Sequence, residues 1–290
     1  MSGPATWPET PERLPCPVVD NHCHMDMPPR DLAGMSVDEA LDRAAAVNVT
    51  RIVQVGCDLP GARWAVETAQ AYDSVVAAVA LHPNEVSHLA KAGDLEAALA
   101  EIDALAGGGD HVRAVGETGL DYFRLEAGPT ADAGKEAQHH SFREHIRMAK
   151  RHDKALMIHD RDAHADVLEI LDDEGIPDRT VMHCFSGDGD FATECVDRGA
   201  FLSFAGTVTF KNAANLREAL LVTPRDRILV ETDAPFLTPS PHRGQPNASY
   251  LIPLTVRLMA ETLGIPADDL CRDINANTDR AYGGAWPERL

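Results

Sequence analysis

The chain is written as a series of short apolar runs that each stop at a polar side chain, and this pattern limits its possible folds more than any other feature. The first run is Val18-Val19-Asp20-Asn21-His22-Cys23-His24; others are Val115-Gly116-Glu117, Leu156-Met157-Ile158-His159, Val181-Met182-His183 and Leu229-Val230-Glu231-Thr232-Asp233. Runs without apolar/polar alternation are those of strands buried on both faces, as in parallel sheets covered by helices. Eight such strands are expected, over residues 18–24, 51–56, 75–81, 112–117, 155–159, 180–183, 200–204 and 227–233.

Helical patterns fill the intervals. Ser36-Val37-Asp38-Glu39 is a capping box that opens a helix to about Val47, and Pro60 opens the next. Further helices are expected over 95–105, 135–151, 163–173, 191–198 and 213–221, with two more closing the chain. Residues 126–134 and 234–248 read as loops, the second with four prolines. Eight alternating β and α units favour closure into a (β/α)8 TIM-type barrel over an open sheet. The expected organisation is one domain over 18–290, behind an irregular arm of residues 1–17 that carries five prolines.

A chain of 290 residues suffices for such a barrel as one unit. No apolar stretch approaches the roughly 20 residues that span a bilayer, and the start lacks a basic segment followed by an apolar one, so a cytoplasmic location is expected. The six cysteines form no C-x-x-C pair, which argues for reduced thiols over a disulfide framework or zinc knuckle. A formal net charge of −20 argues against a broad grip on duplex DNA, which depends on neutralising many phosphates. It leaves open a nucleic acid entering a small, locally positive pocket.

The chemistry lies where the apolar runs stop. His22 and His24, one residue apart on an extended segment, point to the same face and can grip one ion together. With Glu117, His159, His183 and Asp233 they fall at the C-terminal ends of the expected strands, the end where barrels of this kind carry their active sites. Four imidazoles and two carboxylates exceed the roughly three protein ligands of a mononuclear catalytic zinc. They suit two divalent ions sharing a carboxylate, about 3.5–4 Å apart. Nitrogen and oxygen donors favour Zn or Mn, with Mg less at ease beside so many imidazoles. His139, His140, His145 and His152 share one expected helix and are read as solvent-facing, while His82 ends a strand and His164 begins a helix.

Taken together, Asp20-Asn21-His22-Cys23-His24-Met25-Asp26, Leu81-His82-Pro83, Gly116-Glu117-Thr118-Gly119-Leu120-Asp121-Tyr122, His159-Asp160-Arg161-Asp162-Ala163, His183-Cys184-Phe185-Ser186-Gly187 and Glu231-Thr232-Asp233-Ala234-Pro235-Phe236-Leu237 resemble the TatD-type metal-dependent deoxyribonucleases, a branch of the amidohydrolase-like barrels. The resemblance runs from residue 18 to about 283. It implies one ion on His22, His24, Asp233 and a shared Glu117, and a second on Glu117, His159 and His183. It implies phosphodiester hydrolysis in DNA, exonucleolytic from the 3′ end of single strands. Two departures from the family pattern, Thr118 and residues 245–249, bear on substrate preference and touch no ligand.

The expected mechanism is attack on phosphorus by a hydroxide shared between the ions, with Asp233 both ligating and accepting the proton, and Arg161 meeting the developing charge alongside the metals. Arg124, Lys211 and Arg243 are candidate phosphate contacts, and Tyr122 and Phe185 candidate stacking surfaces for bases, each weighed against a surface or core role. His82 and Ser186 complete the residues expected near substrate. Glu231 shares a strand face with Asp233, as support for a ligand or as a buried, paired barrel residue.

The competing activity is hydrolysis of a small amide, lactone or phosphoester on the same scaffold. Many such relatives bridge their metals with a carboxylated lysine on the fourth strand; here that place holds Glu117, with no lysine between Lys91 and Lys135. A non-catalytic metal-binding scaffold is the other alternative, although a structural site needs only about four closed ligands.

Overall fold

The computed structural model describes residues 6–125 and 129–290. In chain order the elements are β1 (Val18–Cys23), α1 (Val37–Ala46), β2 (Val49–Gly56), α2 (Leu59–Ala71), β3 (Val75–Val79), α3 (Pro83–Ala92), α4 (Leu95–Ala106), β4 (Val112–Asp121), α5 (Pro129–Arg151), β5 (Ala155–Arg161), α6 (His164–Glu174), β6 (Thr180–Met182), α7 (Gly189–Asp197), β7 (Phe201–Phe204), α8 (Ala214–Val222), β8 (Ile228–Val230), α9 (Ile252–Leu263) and α10 (Ala267–Ala281). The strands pair in sequence order from β1 to β8, every pair parallel. The result is a nearly closed (β/α)8 barrel.

Alternation along each strand splits its apolar side chains between two cores. Val19, Val53, Val55, Val76, Ala78, Met157, Val181, Phe201 and Leu229 fill the interior. Their neighbours Val18, Ile52, Val75, Ala77, Val115, Ile158 and Leu202 face the helices. Below the interior layer, the Arg51 guanidinium lies 4.6 Å over the Trp286 ring and donates to Asp279 at 2.7 Å and Asn275 at 2.6 Å.

No ladder joins β8 to β1 among the described residues. Side chains and single backbone bonds close that seam: Asn21 Nδ2 donates to the Val230 carbonyl at 2.8 Å, and the Asp20 carboxylate accepts from the Thr232 amide at 2.9 Å and hydroxyl at 2.6 Å. The Asp233 amide donates to the His22 carbonyl at 2.9 Å, and the His24 amide to the Ala234 carbonyl at 2.8 Å.

Several sequence expectations are corrected. Helix α3 has no counterpart in the expected set; His82 caps it, accepting from the Asn84 amide through Nδ1 at 3.1 Å, and Pro83 occupies its first turn, where a missing N–H costs nothing. The expected loop 126–134 is helical from Pro129, its first three residues lying outside the described residues. Strand β8 stops at Val230, so Asp233 stands three residues beyond the strand instead of at its end. His145 is buried on the inner face of α5, where Nε2 accepts from the Leu81 amide at 3.3 Å and Nδ1 lies 2.9 Å from Thr118 Oγ1. Residues 6–17 carry no helix or strand yet lie against the barrel, with Leu14 buried and the Tyr250 hydroxyl donating to the Pro8 carbonyl at 2.7 Å. Among the described residues no helix is long and apolar enough to cross a membrane.

Candidate metal centre

At the C-terminal mouth of the barrel a cavity of about 770 Å³ opens among the loops, and Glu117 reaches its floor from β4. The strand can come that close to β5 because of its glycines. A Cβ on Gly119, whose φ is +132°, would lie 2.1 Å from the His159 carbonyl oxygen. Only glycine fits there; it pairs with His159 in the ladder, and the Glu117 side chain reaches the same histidine.

The two carboxylate oxygens of Glu117 face different partners. Oε2 looks toward His22 Nε2 at 3.5 Å and His24 Nε2 at 4.0 Å, and these nitrogens lie 3.6 and 3.4 Å from Asp233 Oδ1 and 3.0 Å from each other. Oε1 looks toward His159 Nδ1 at 2.6 Å and His183 Nε2 at 3.3 Å. A tetrahedral ion with bonds of 2.0–2.1 Å holds its donors about 3.4 Å apart; the first cluster has that spacing, the second is drawn in by the 2.6 Å His159–Glu117 hydrogen bond that an ion would replace, and both offer the nitrogen and oxygen chemistry of a divalent site. The six ligand candidates read from the sequence are all brought together here.

Hydrogen bonding fixes which ring atoms are free to bind a cation. The Val55 carbonyl can only accept, so His24 Nδ1 carries the proton at 3.0 Å and Nε2 presents its lone pair to the cluster. His82 is built the other way. Its Nδ1 lone pair is used by the α3 cap, so Nε2 carries the proton and points at Glu117 Oε1, 3.4 Å away. His82 therefore suits a donor that steadies Glu117 better than a ligand.

Electrostatics sharpens the same picture. Burial opposes charge on Glu117, but His183, His82 and His159 around it hold the carboxyl well below its ordinary pKa. Burial likewise opposes a charged His183, yet Glu231 and Glu117 on either side raise it well above its usual value. His159 is held up at about 9 by Asp121 and Glu117 against the same burial penalty. His22, stacked on His183 with ring centroids 3.6 Å apart, is pushed down by burial and by that neighbour. These carboxylates and imidazoles form a buried array in which protons occupy places a cation can take.

Asp233 sits in the left-handed region at φ +55°, a conformation a non-glycine residue keeps only where its surroundings impose it. The Asp20–Thr232 bonds impose it from one side. From the other, Asn247 Nδ2 donates to the Thr232 carbonyl at 3.0 Å and the Phe236 carbonyl at 2.5 Å, so the loop that departs from the family pattern braces the Asp233 turn. Burial raises and His24 lowers the Asp233 carboxyl, and the net effect is downward.

Three residues that sequence reasoning passed over belong to this array. Asp121, at the end of β4 and one strand repeat beyond Gly119, places Oδ2 3.4 Å from His159 Nε2 and accepts from Asn84 Nδ2 at 3.1 Å. Period-two spacing from Glu117 was its signal. Cys57, just past β2, brings its Sγ within 3.5 Å of Glu117 Oε2, and Asn84 follows from the unexpected α3. Glu231 resolves in favour of ligand support: Oε1 stands 2.8 Å from His183 Nδ1 and accepts from the Cys184 amide at 2.9 Å.

The residues expected near substrate divide. Arg161, Arg124, Ser186, His82 and Phe185 line the cavity. Phe185 does so as a core residue, 3% exposed and packed on Phe191 and Phe204, which leaves no free face for stacking. Tyr122 lies outside the cavity, because its hydroxyl is 2.6 Å from Asp166 and 2.5 Å from His139 and Lys135 covers its ring. Lys211 and Arg243 also lie outside; Arg243 stacks 4.3 Å over Phe210, which stands between it and the opening. Of the exposed aromatic rings, Phe236 lines the cavity, and Phe123 stands at its edge, packed on Arg161.

Comparison with known proteins agrees with this arrangement. A family model described as "TatD related DNase" matches residues 19–283. The chain is 44% identical over 273 residues to an uncharacterized metal-dependent hydrolase, TatD, of Mycobacterium tuberculosis, covering 93% of this chain and 99% of that one. It is 35% identical over 266 residues to YcfH of Escherichia coli, also described as an uncharacterized metal-dependent hydrolase, covering 91% and 95%. Among solved structures, the TatD homologue YJJV of E. coli superposes with a TM-score of 0.81 at 28% identity, over 92% of this chain and 98% of that one. With a family match over residues 19–283 behind a mouth that gathers imidazoles and carboxylates on one shared glutamate, the chain belongs to the TatD family of metal-dependent hydrolases.

Proposed function

We propose that this protein hydrolyses phosphodiester bonds in DNA, acting on a single strand or strand end that enters the barrel mouth, with two divalent ions (Zn, Mn or Mg). The observation that carries this reading is the division of Glu117: one oxygen faces His22, His24 and the Asp233 side, the other faces His159 and His183. His22, His24, Asp233 and Glu117 would hold one ion, and Glu117, His159 and His183 the other. Such a pair supplies a nucleophile at neutral pH, polarises the phosphoryl group and stabilises the leaving oxygen.

The chain's own groups do the rest. Asp233 is kept ionised by His24 and the other imidazoles near it, and takes the proton of the attacking water. Glu117 orients both donor sets and is itself oriented by His82. Arg161, at the end of β5, meets charge that develops on the phosphoryl oxygens, and Arg124 on the same side of the cavity holds a neighbouring phosphate. The family description supports a DNA substrate, and Arg124 and Arg161 offer two local cations in a lining that also carries Asp121 and Asp160, which suits a strand held at few phosphates by a chain that carries −20 overall.

The test is purified protein with Mg, Mn or Zn, labelled single-stranded DNA, a panel of small amides and lactones, and an Asp233→Asn control. Shortening of the DNA, lost in the control, is the expected result. Intact DNA under all three metals, with turnover of an amide or lactone, overturns the phosphodiester reading; two bound metals and no turnover favours a scaffold.

A further inference from the structure

The described residues expose few large apolar side chains, and two are phenylalanines at the barrel mouth. Phe123, 61% exposed, stands two residues past β4, and Phe236, 51% exposed, stands in the turn after β8. Strands β4 and β8 lie four places apart in a ring of eight, so the two residues stand on opposite sides of the mouth: Phe236 lines the cavity, and Phe123 stands at its edge against Arg161, which lines it. Single exposed benzyl groups are ordinary on a protein surface; what sets these two apart is that they flank the metal-binding cleft from opposite sides with ring surface open to a partner.

Both rings are held in place. The Arg161 guanidinium lies 3.7 Å from the Phe123 ring centroid, so one ring face is occupied while the side chain remains largely exposed. Phe236 meets His24 edge-on with centroids 6.3 Å apart, and its backbone is fixed by the Asp233 carbonyl at 2.8 Å and by Asn247. Such rings lose little entropy when a flat partner settles on them. Arg161 beneath one ring and Arg124 beside it add positive charge, so the partner that fits is planar, apolar on its face and tied to an anion. Nucleobases on a phosphate backbone have that chemistry.

We propose that Phe123 and Phe236 form a two-sided stacking clamp, each taking the base on one side of the phosphate that reacts between them. The clamp rests on the phosphodiester reading given above. It has two consequences. A base already stacked inside a duplex must be unpaired before it can be held, so the clamp selects single strands and frayed ends. It also requires a nucleotide on each side of the reacting bond.

The test uses full-length, metal-loaded protein and single-stranded oligonucleotides that are intact or carry a stable abasic residue on the 5′ or the 3′ side of the cleaved bond. Stacking on an aromatic side chain contributes about 1–3 kcal/mol per base, so Phe123→Ala and Phe236→Ala should each lower kcat/KM on the intact strand by about 5- to 150-fold. Each loss should vanish on the strand abasic at the facing position, a different side for each residue, and Phe123→Tyr or Phe236→Tyr should restore turnover. Alanine variants within twofold of the wild type on intact strands overturn the clamp, as does an equal loss on intact and abasic strands. Those outcomes leave the nuclease reading standing. Failure of the wild type to cut any oligonucleotide overturns that reading and the clamp with it.

Discussion

Replacing Glu231 by Gln should weaken metal binding on one side of the centre while leaving the barrel intact. Glu231 is 1% exposed and His183 6% exposed, so water cannot replace the contact between them. The carboxylate oxygen 2.8 Å from His183 Nδ1 keeps a proton on that nitrogen and leaves Nε2, 3.3 Å from Glu117, free to bind a cation. A glutamine has the same shape, but its Oε1 is drawn to the Cys184 amide, now 2.9 Å from the carboxylate. Its NH2 then points at His183 Nδ1, takes the lone pair there and drives the ring proton to Nε2, the wrong tautomer for a ligand. Supporting groups of this kind typically contribute 10- to 100-fold in metal affinity, or about 1.4–2.7 kcal/mol, and full burial puts this pair near the upper end. The assay is competition of the protein with a chromophoric chelator during zinc titration, with circular dichroism confirming the fold. Loss of affinity at the His159–His183 side, with the His22–His24 side retained, is expected. An isotherm unchanged from the wild type refutes the tautomer argument.

The other predictions concern the same array and its supports. His22→Ala/His24→Ala should remove one bound metal and most activity while the far-ultraviolet spectrum is preserved; retention of both metals by elemental analysis would contradict the assignment. In metal-free protein His159 is raised from 6.5 to about 9, so its stabilising contribution is full below pH 6.5 and is lost as pH rises through about 9. Thermal melts of chelator-treated protein should therefore fall over that interval, and metal affinity should rise over it because the ligand must shed its proton; a flat profile in both would exclude this role. His145→Leu leaves the Leu81 amide without its acceptor, at a cost of about 1–3 kcal/mol in urea unfolding, and a change below about 0.5 kcal/mol would show the contact to be dispensable. Arg51→Ala should cost about 2–3 kcal/mol by removing the hydrogen bonds to Asp279 and Asn275 and opening space under Trp286, measured the same way, with a near-neutral result refuting it.

The barrel and its six clustered donors were legible because both follow from local pattern. Buried parallel strands need apolar runs, and side chains that end those runs converge once the strands do, so His22, His24, Glu117, His159, His183 and Asp233 could be named from spacing alone. What escaped depends on partners distant in sequence. Helix α3 hides behind Pro83, which reads as a strand stop and serves as a helix start. His145 sits among polar helix neighbours, and only the Leu81 amide 64 positions away explains its burial. Tyr122 and Phe123 are adjacent aromatics in one motif; Asp166, far along the chain, holds the first away from the cavity and leaves the second exposed. Exposure is a property of the finished surface, and no periodicity encodes it.

The seam between β8 and β1 has a consequence for how the molecule is assembled. A hoop closed by a few clasps in place of a ladder opens first at the clasp, and its two ends are the last-made and first-made strands of the chain. The donors His22 and His24 stand on one lip of that opening and Asp233 on the other. A cation held by all three is therefore a rivet across the joint, and its binding energy counts toward keeping the hoop shut. Two of the six donors are in place as soon as the first strand is made, yet they cannot grip until more than two hundred further residues have wound the barrel round to meet them. Only a fully wound chain gains the rivet.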